Sequence, residues 1–242
     1  MKFYEEKTVW IIGGTSGIGF AIAEKFASIK NCTVIISGRD TSKVGNMPNV
    51  LKVALDVVNN ASFTSAVDDI LQNHTKVDII LFCAGTYEPM NLDNFNPESA
   101  LNILETNLVS MVNFIENLPK FYGKCSTVGI VSSVAGYFGM PNSLFYGASK
   151  AGLSHLTESL HIELRRYKID VKLINPGFVK TPMTDKNNFK MPFIISPQKA
   201  AEIILKKLQR CRFEIAFPWL FVVILKIMRM IPVRIRAKFF NS

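Results

Sequence analysis

The sequence predicts an α/β fold: a doubly wound parallel sheet in a single domain. Three observations carry that expectation. Short apolar runs rich in β-branched residues alternate with longer segments of helical periodicity. Such alternation implies right-handed βαβ units, hence a parallel sheet with helices on both faces. The runs are apolar throughout instead of alternating, as strands covered on both sides must be. With 242 residues, 48% hydrophobic and 19% charged, the chain suits one sizeable domain, since single α/β domains often exceed ~150 residues. No repeat, low-complexity tract or linker interrupts it.

The elements follow in order. TVWII (8–12) reads as the first strand and 17–28 as a helix. CTVIIS (32–37) and VLKVAL (50–55) are strands, and 61–72 is a helix. VDIILF (77–82) is the fourth strand, 98–118 a long helix, and STVGIVSS (126–133) the fifth strand. A long helix over 144–167 leads into the sixth strand, IDVKLIN (169–175), with Pro176-Gly177 at its end. Pro197 opens a last body helix, in the first-turn position where its missing N–H costs nothing.

Cys32, Cys83, Cys125 and Cys211 form no C-x-x-C pair, and with His74, His155 and His161 they form no metal-ligand spacing. Core thiols in a reducing compartment are expected. The N-terminus, MKFYEEKTVW, lacks an apolar leader core, so a cytoplasmic protein is expected.

A glycine turn, GGTSGIG, directly follows the first strand, with Gly13, Gly17 and Gly19 in the spacing G-x3-G-x-G. Glycines there let the backbone approach a pyrophosphate. The helix start at Thr15, Ser16, Gly17 and Ile18 offers free N–H groups and a positive dipole end. The sheet is therefore expected to be Rossmann-like, with its ligand beyond the carboxyl ends of the strands. The second strand ends in Ser37-Gly38-Arg39. No acid stands at position 38 to hold an NAD ribose, and Arg39 is placed to meet a 2′-phosphate, which favours NADP over NAD. Asp56-Val57, past the third strand, either flanks an adenine or caps the next turn.

YGASK (146–150) puts Tyr146 and Lys150 four residues apart, on one helix face. With the glycine turn, Asn107 in ETNLVS, Ser133 in IVSSVAG and NPGFVKT (175–181), this chain resembles a short-chain dehydrogenase/reductase over about residues 7 to 210. Ser133 lies 13 residues before Tyr146, as the family pattern requires. The resemblance implies an NAD(P)-dependent oxidoreductase with a tetrad of Asn107, Ser133, Tyr146 and Lys150. It also implies cofactor contacts from Ala84, Gly85, Pro176, Gly177, Val179 and Thr181. The chemistry agrees: a carbonyl oxygen gaining charge needs a donor, Ser133, and a proton source, Tyr146. A phenol with an ordinary pKa near ~10 needs a neighbouring cation to cycle at neutral pH, which is the expected use of Lys150. Asn107, in the family's scheme, holds a water linking Lys150 to solvent. Two positions depart from the family pattern. Ile12 stands where Thr is usual, and Phe82-Cys83-Ala84-Gly85 stands for N-N-A-G, removing Asn side chains that brace the central strands. A dinucleotide-binding sensor or a membrane-associated assembly protein on the same fold is the competing expectation.

PMTDKNNFKMPFIIS (182–196) is expected to be a substrate lid. Met183, Phe189, Met191 and Phe193, with Met140 and Phe178, either line an apolar pocket for a hydrophobic carbonyl or alcohol or merely pack the lid. Residues 1–210 make up the expected body and 211–242 an apolar, basic helical extension. From Lys206 onward nine basic residues face only Glu214, whereas the preceding chain carries 19 basic and 18 acidic groups. The longest charge-free stretch of this extension, Ile215 to Leu225, has 11 residues, well short of the ~20 needed to span a bilayer. Lys226, Arg229, Val233 and Arg236 are spaced for a mostly cationic stripe, with Pro232 bending the helix. Such a segment suits an anionic membrane surface, or packs on the body or on a second copy in a homo-oligomer. It is too apolar for a nucleic-acid-binding arm.

Overall fold

The computed structural model describes residues 2–74, 76–210 and 212–240; Cys211 lies outside the described residues. Seven parallel strands form one sheet in the order β3-β2-β1-β4-β5-β6-β7. They are β1 (Thr8–Ile12), β2 (Thr33–Gly38), β3 (Val50–Ala54), β4 (Ile79–Phe82), β5 (Thr127–Val131), β6 (Asp170–Pro176) and β7 (Glu214–Phe217). The order reverses between β1 and β4, so a crevice opens there at the carboxyl ends.

Period-two alternation sends neighbouring side chains of each strand to opposite faces. Val9 and Ile11 of β1 pack with Phe26, Ile36, Leu81 and Ile204, under α1 (Gly17–Ala27) and α6 (Pro197–Leu208). Trp10 and Ile12 pack on the other face with Phe63, Phe82, Phe114 and Leu153, under α2 (Asn60–Asn73), α4 (Met111–Asn117) and α5 (Leu144–Leu164). Ile12, the first departure from the family pattern, is thus a core residue with no exposed surface. Helix starts follow local chemistry: Asn59, Asn96 and Ser196 each accept a backbone N–H of the turn they open, and Pro97 and Pro197 occupy the first helical turn.

Three expectations are corrected. The helix read over 98–118 is broken: α3 (Pro97–Leu104) passes through a π-helical turn, Glu105–Val109, before α4. Residues 214–217 of the extension form an edge strand on β6. The extension then folds as α7 (Trp219–Met230) and α8 (Val233–Phe240), which do not share one cationic stripe. Pro232 interrupts the helix, so α8 starts with a new phase. Lys226 pairs with Glu214. Arg236 is turned inward, donating to the Met228 and Arg229 carbonyls at the end of α7 and lying 4.5 Å from the Phe138 ring centre. The inner face of α7, Phe221, Val222 and Leu225, packs on Val134, Tyr137, Phe138, Met140 and Phe178. Of the side chains expected to line a pocket or to pack the lid, Met140 and Phe178 pack against this helix, Phe189 meets the Phe178 ring and Phe193 the Phe221 ring, which is the packing alternative.

Candidate active site

The crevice between β1 and β4 is a cavity of about 530 Å³. Its floor is the glycine turn. Gly13 has φ +81°, and a side chain there would sit 2.5 Å from the Ala84 nitrogen. The end of β1 therefore lies directly against the loop after β4. A Cβ on Gly19 would fall 2.3 Å from the Gly13 carbonyl oxygen, so α1 begins in backbone contact with the turn. Ser16 opens α1 without a side-chain cap bond, which leaves the first N–H groups of the helix facing the cavity. Main-chain bonds join the strand ends here: Cys83 N–H donates to the Ile12 carbonyl at 2.7 Å, and Gly13 N–H to that of Ser37 at 2.8 Å.

Arg39 and Gly38 line the same cavity. A side chain at position 38 would come within 2.7 Å of the Thr15 methyl, so a larger residue there would require the Thr15 side chain to turn aside. Asp40 turns away, accepting both bonds of Ser42 and pairing with Lys43 at 3.5 Å. Asp56 lines the cavity, and its carboxylate accepts the Val58 N–H at 3.1 Å, capping the turn after β3. The remaining sequence-derived positions, Thr15, Ser16, Gly17, Ile18, Val57, Ala84, Gly85, Pro176, Gly177, Val179 and Thr181, line it as well.

Ser133, Tyr146 and Lys150 meet at the far end. Ser133 follows β5 and opens a single turn, Val134–Gly136, whose close packing on α5 demands Gly136: a Cβ there would lie 2.7 Å from the Lys150 backbone. Its Oγ accepts the Ala135 N–H at 3.1 Å, which leaves the hydroxyl proton free to donate. Tyr146 and Lys150 share one face of α5, with the Lys150 Nζ 5.8 Å from the phenol ring centre. That Nζ donates to the Val131 carbonyl at 3.1 Å.

Asn107 does not line the cavity. The π turn carries its side chain inward to complete burial, where it brackets Thr86. The Asn107 Oδ1 accepts the Thr86 N–H at 2.7 Å, and its Nδ2 donates to the Thr86 carbonyl and the Ser149 hydroxyl. Oδ1 lies near Gly85 on the same side as the Lys150 Nζ, but no hydrogen bond joins the two side chains. Sequence reasoning missed Thr86, Asn102, Glu105, Thr106 and Thr184, which also line the cavity. Thr184 had a local sign, its three-residue spacing from Thr181; the others enter because the π turn and Thr86 converge.

The electrostatics differ from the expected lysine-lowered phenol. Loss of water around Tyr146 raises its pKa above the ordinary value, only partly offset by the Ser133 hydroxyl. Burial lowers Lys150 to about 8, with the nearby Cys83 acting the other way. The charged lysine is thus penalised in the folded protein relative to the unfolded chain. That penalty is fully present below about pH 8 and is relieved as the pH rises towards the ordinary lysine value of 10.5. Lys150→Met should therefore melt several °C above wild type at pH 7, from about 3 kcal/mol at ~1.36 per pKa unit. The gap should close by pH 10. Equal melting temperatures at pH 7, or a gap that widens with pH, would show that Lys150 is not strained by burial.

A family model described as short chain dehydrogenase matches residues 7–191. An uncharacterized oxidoreductase of Myxococcus xanthus is 29% identical over 237 residues, 93% of each chain. A 3-oxoacyl-[acyl-carrier-protein] reductase FabG of Rickettsia prowazekii is 33% identical over 193 residues, 76% of this chain and 77% of that one. A solved short chain dehydrogenase from Burkholderia cenocepacia, in complex with NADP, has the same fold with a TM-score of 0.86 at 20% identity, covering 97% of this chain and 98% of that one.

Proposed function

The chain belongs to the short-chain dehydrogenase family and is an NAD(P)-dependent oxidoreductase; on that premise we propose that it interconverts a hydrophobic carbonyl compound and its alcohol, with NADP preferred and Tyr146 as the acid–base group. The observation that carries this reading is the meeting of Ser133, Tyr146 and Lys150 at one end of a cavity whose other end holds Arg39. The glycine cradle, the uncapped start of α1 and the absence of an acid at position 38 fit a dinucleotide with a 2′-phosphate. A bound nicotinamide supplies or takes the hydride. The Ser133 hydroxyl donates to the oxygen that gains charge, and Tyr146, protonated at neutral pH, delivers the proton. Lys150 places a cation behind the phenol, and Asn107 fixes the Thr86 backbone that forms the adjoining wall. An acyl-type carbonyl is the favoured substrate class, because the FabG relative is a 3-oxoacyl reductase and the lid turns Pro182 and Met183 to the cavity. A screen of acyl ketones and alcohols followed by NADPH absorbance tests this. Binding of NADPH without turnover of any of them would make the chain a dinucleotide-binding module instead.

Arg39→Ala should weaken NADPH by about tenfold to a hundredfold, the worth of a charge-assisted contact, and leave NADH within twofold. Equal losses for both cofactors in calorimetric titrations would remove the assignment of Arg39.

We further assign a membrane-surface contact to the extension. Among the described residues no helix is long and apolar enough to cross a membrane. The outer face of α7 is nevertheless uncovered: Trp219 is 72% exposed, Ile227 58% and Met230 84%, with Val223 beside them. Arg229 on α7 and Arg234 and Lys238 on α8 are exposed, and Glu214 is the sole acid of the segment. A second copy would bring like charge to the same place, whereas an anionic lipid surface complements it at about 1 kcal/mol per basic group. The full chain should float with phosphatidylglycerol-containing vesicles at low salt, and a Trp219→Ser/Ile227→Asp variant should lose most of that binding. If the wild type stays with the soluble fraction, the face is a protein contact. A homo-oligomer is expected through other surfaces, where Val109, Val112 and Ile162 stand exposed.

A further inference from the structure

The loop after β4 carries a second tyrosine that joins the lid to the acid–base group. Asn107 holds both backbone polar atoms of Thr86, so the next residue, Tyr87, projects from a fixed support. Its ring stands edge-on to that of Tyr146, with centres 4.8 Å apart. Its hydroxyl donates to the Asn187 Oδ1 in the lid at 2.7 Å, and its carbonyl accepts from the Lys186 Nζ at 3.0 Å. Lys186 also pairs with Glu88 at 2.6 Å. The base of the lid is held separately, by paired main-chain bonds between Phe178, Lys180 and Ile195. The middle of the lid thus meets the body through Tyr87 and Glu88.

The geometry points to Tyr87 as a positioning residue: it latches the closed lid through Asn187 and, by the same ring, sets the tilt of Tyr146. Edge-to-face rings resist rotation of either partner. A shut lid therefore steadies the proton donor, and an open lid releases it. The latch consists of one neutral hydrogen bond, one from the Lys186 ammonium to the Tyr87 carbonyl, and an exposed ion pair, interactions weak enough to open in each cycle. The second half of the proposal, an effect on Tyr146, rests on the reading of Tyr146 as the acid; the latch itself does not.

The two halves are separated by two measurements on the full chain. Limited trypsin digestion, with sites identified by mass, reads lid opening at Lys186 and Lys190 without any substrate. Tyr87→Phe keeps the ring and loses the donor, so cleavage there should quicken about fivefold, the worth of one hydrogen bond. Asn187→Ala, a change on the lid that leaves the body untouched, should match it, and the double variant should be no faster than either. Cleavage at the wild-type rate, or effects that multiply, would overturn the latch. Tyr87→Ala loses the ring as well. With an acyl ketone that the wild type reduces, it should lower kcat about tenfold beyond Tyr87→Phe and shift the upper limb of the pH–kcat profile, while NADPH affinity stays within twofold. An unchanged kcat and pH profile would overturn the effect on Tyr146. If digestion behaves as expected but no carbonyl is reduced by any form, the latch stands and the catalytic reading fails.

Discussion

Tyr146→Phe should lower turnover by about 10³-fold while NADPH affinity changes less than twofold and the melting temperature shifts by no more than a few °C. The size follows from general acid catalysis, where a positioned proton donor contributes roughly 10² to 10⁴. Here the donor has few substitutes. Ser133 can donate a hydrogen bond but cannot readily give up its proton, and Lys150 is engaged with the Val131 carbonyl. Tyr87 touches the ring of Tyr146, but its hydroxyl is committed to Asn187, and burial raises its pKa to about 12. Phe keeps the ring contacts, so packing and the cofactor end of the cavity are undisturbed. The comparison is made by single-turnover absorbance and by titration with NADPH. A variant retaining more than a tenth of wild-type kcat would exclude Tyr146 as the acid. A parallel loss of cofactor affinity would show that the phenol acts by holding the nicotinamide end.

The parts of this site that could be read from sequence are those set by neighbours along the chain. A strand, a glycine turn and a helix start are consecutive, and so are the residues of one helix face, which is why Gly13, Gly19, Tyr146 and Lys150 could be placed without coordinates. Ser133 followed from the spacing of the family pattern. Arg39 followed from its position at a strand end, but the close approach of the Thr15 side chain, from another element, to position 38 did not.

What could not be read depends on phase or on contacts between distant segments. One extra residue in the π turn reorients every side chain after it, so Asn107 faces Thr86 rather than the cavity. A uniform 100° helical periodicity cannot register such a shift. Pro232 has the same effect on the extension, where the projected cationic stripe fails because α8 restarts in a new phase. The edge strand β7 is only four residues long, and its place is fixed by β6. The raised phenol of Tyr146 comes from desolvation by its surroundings, which no i,i+4 pairing with Lys150 reveals.

Gly13→Ala should cost roughly 2–6 kcal/mol and abolish measurable NADPH binding. Two penalties of about 1–3 kcal/mol each combine: a non-glycine residue in left-handed backbone, and overpacking against neighbours that cannot retreat. The added Cβ would lie 2.5 Å from the Ala84 nitrogen and 2.6 Å from its Cα. Both are backbone atoms, and that loop is tied to β1 by the bond from Cys83 to Ile12. Moving the turn the other way is blocked, because the Gly13 carbonyl already lies where a Cβ on Gly19 would be. The ends of β1 and β4 must therefore spread, at the point where the sheet order reverses and the cavity floor lies. Gly45→Ala and Gly139→Ala are the controls, since nothing lies within 4 Å of a Cβ at either position. They should melt within about 2 °C of wild type, against a drop of roughly 10 °C for Gly13→Ala at 2–4 °C per kcal/mol. If Gly13→Ala melts with the controls and binds NADPH within twofold of wild type, the close approach of these two strand ends is not what forms the cofactor cradle.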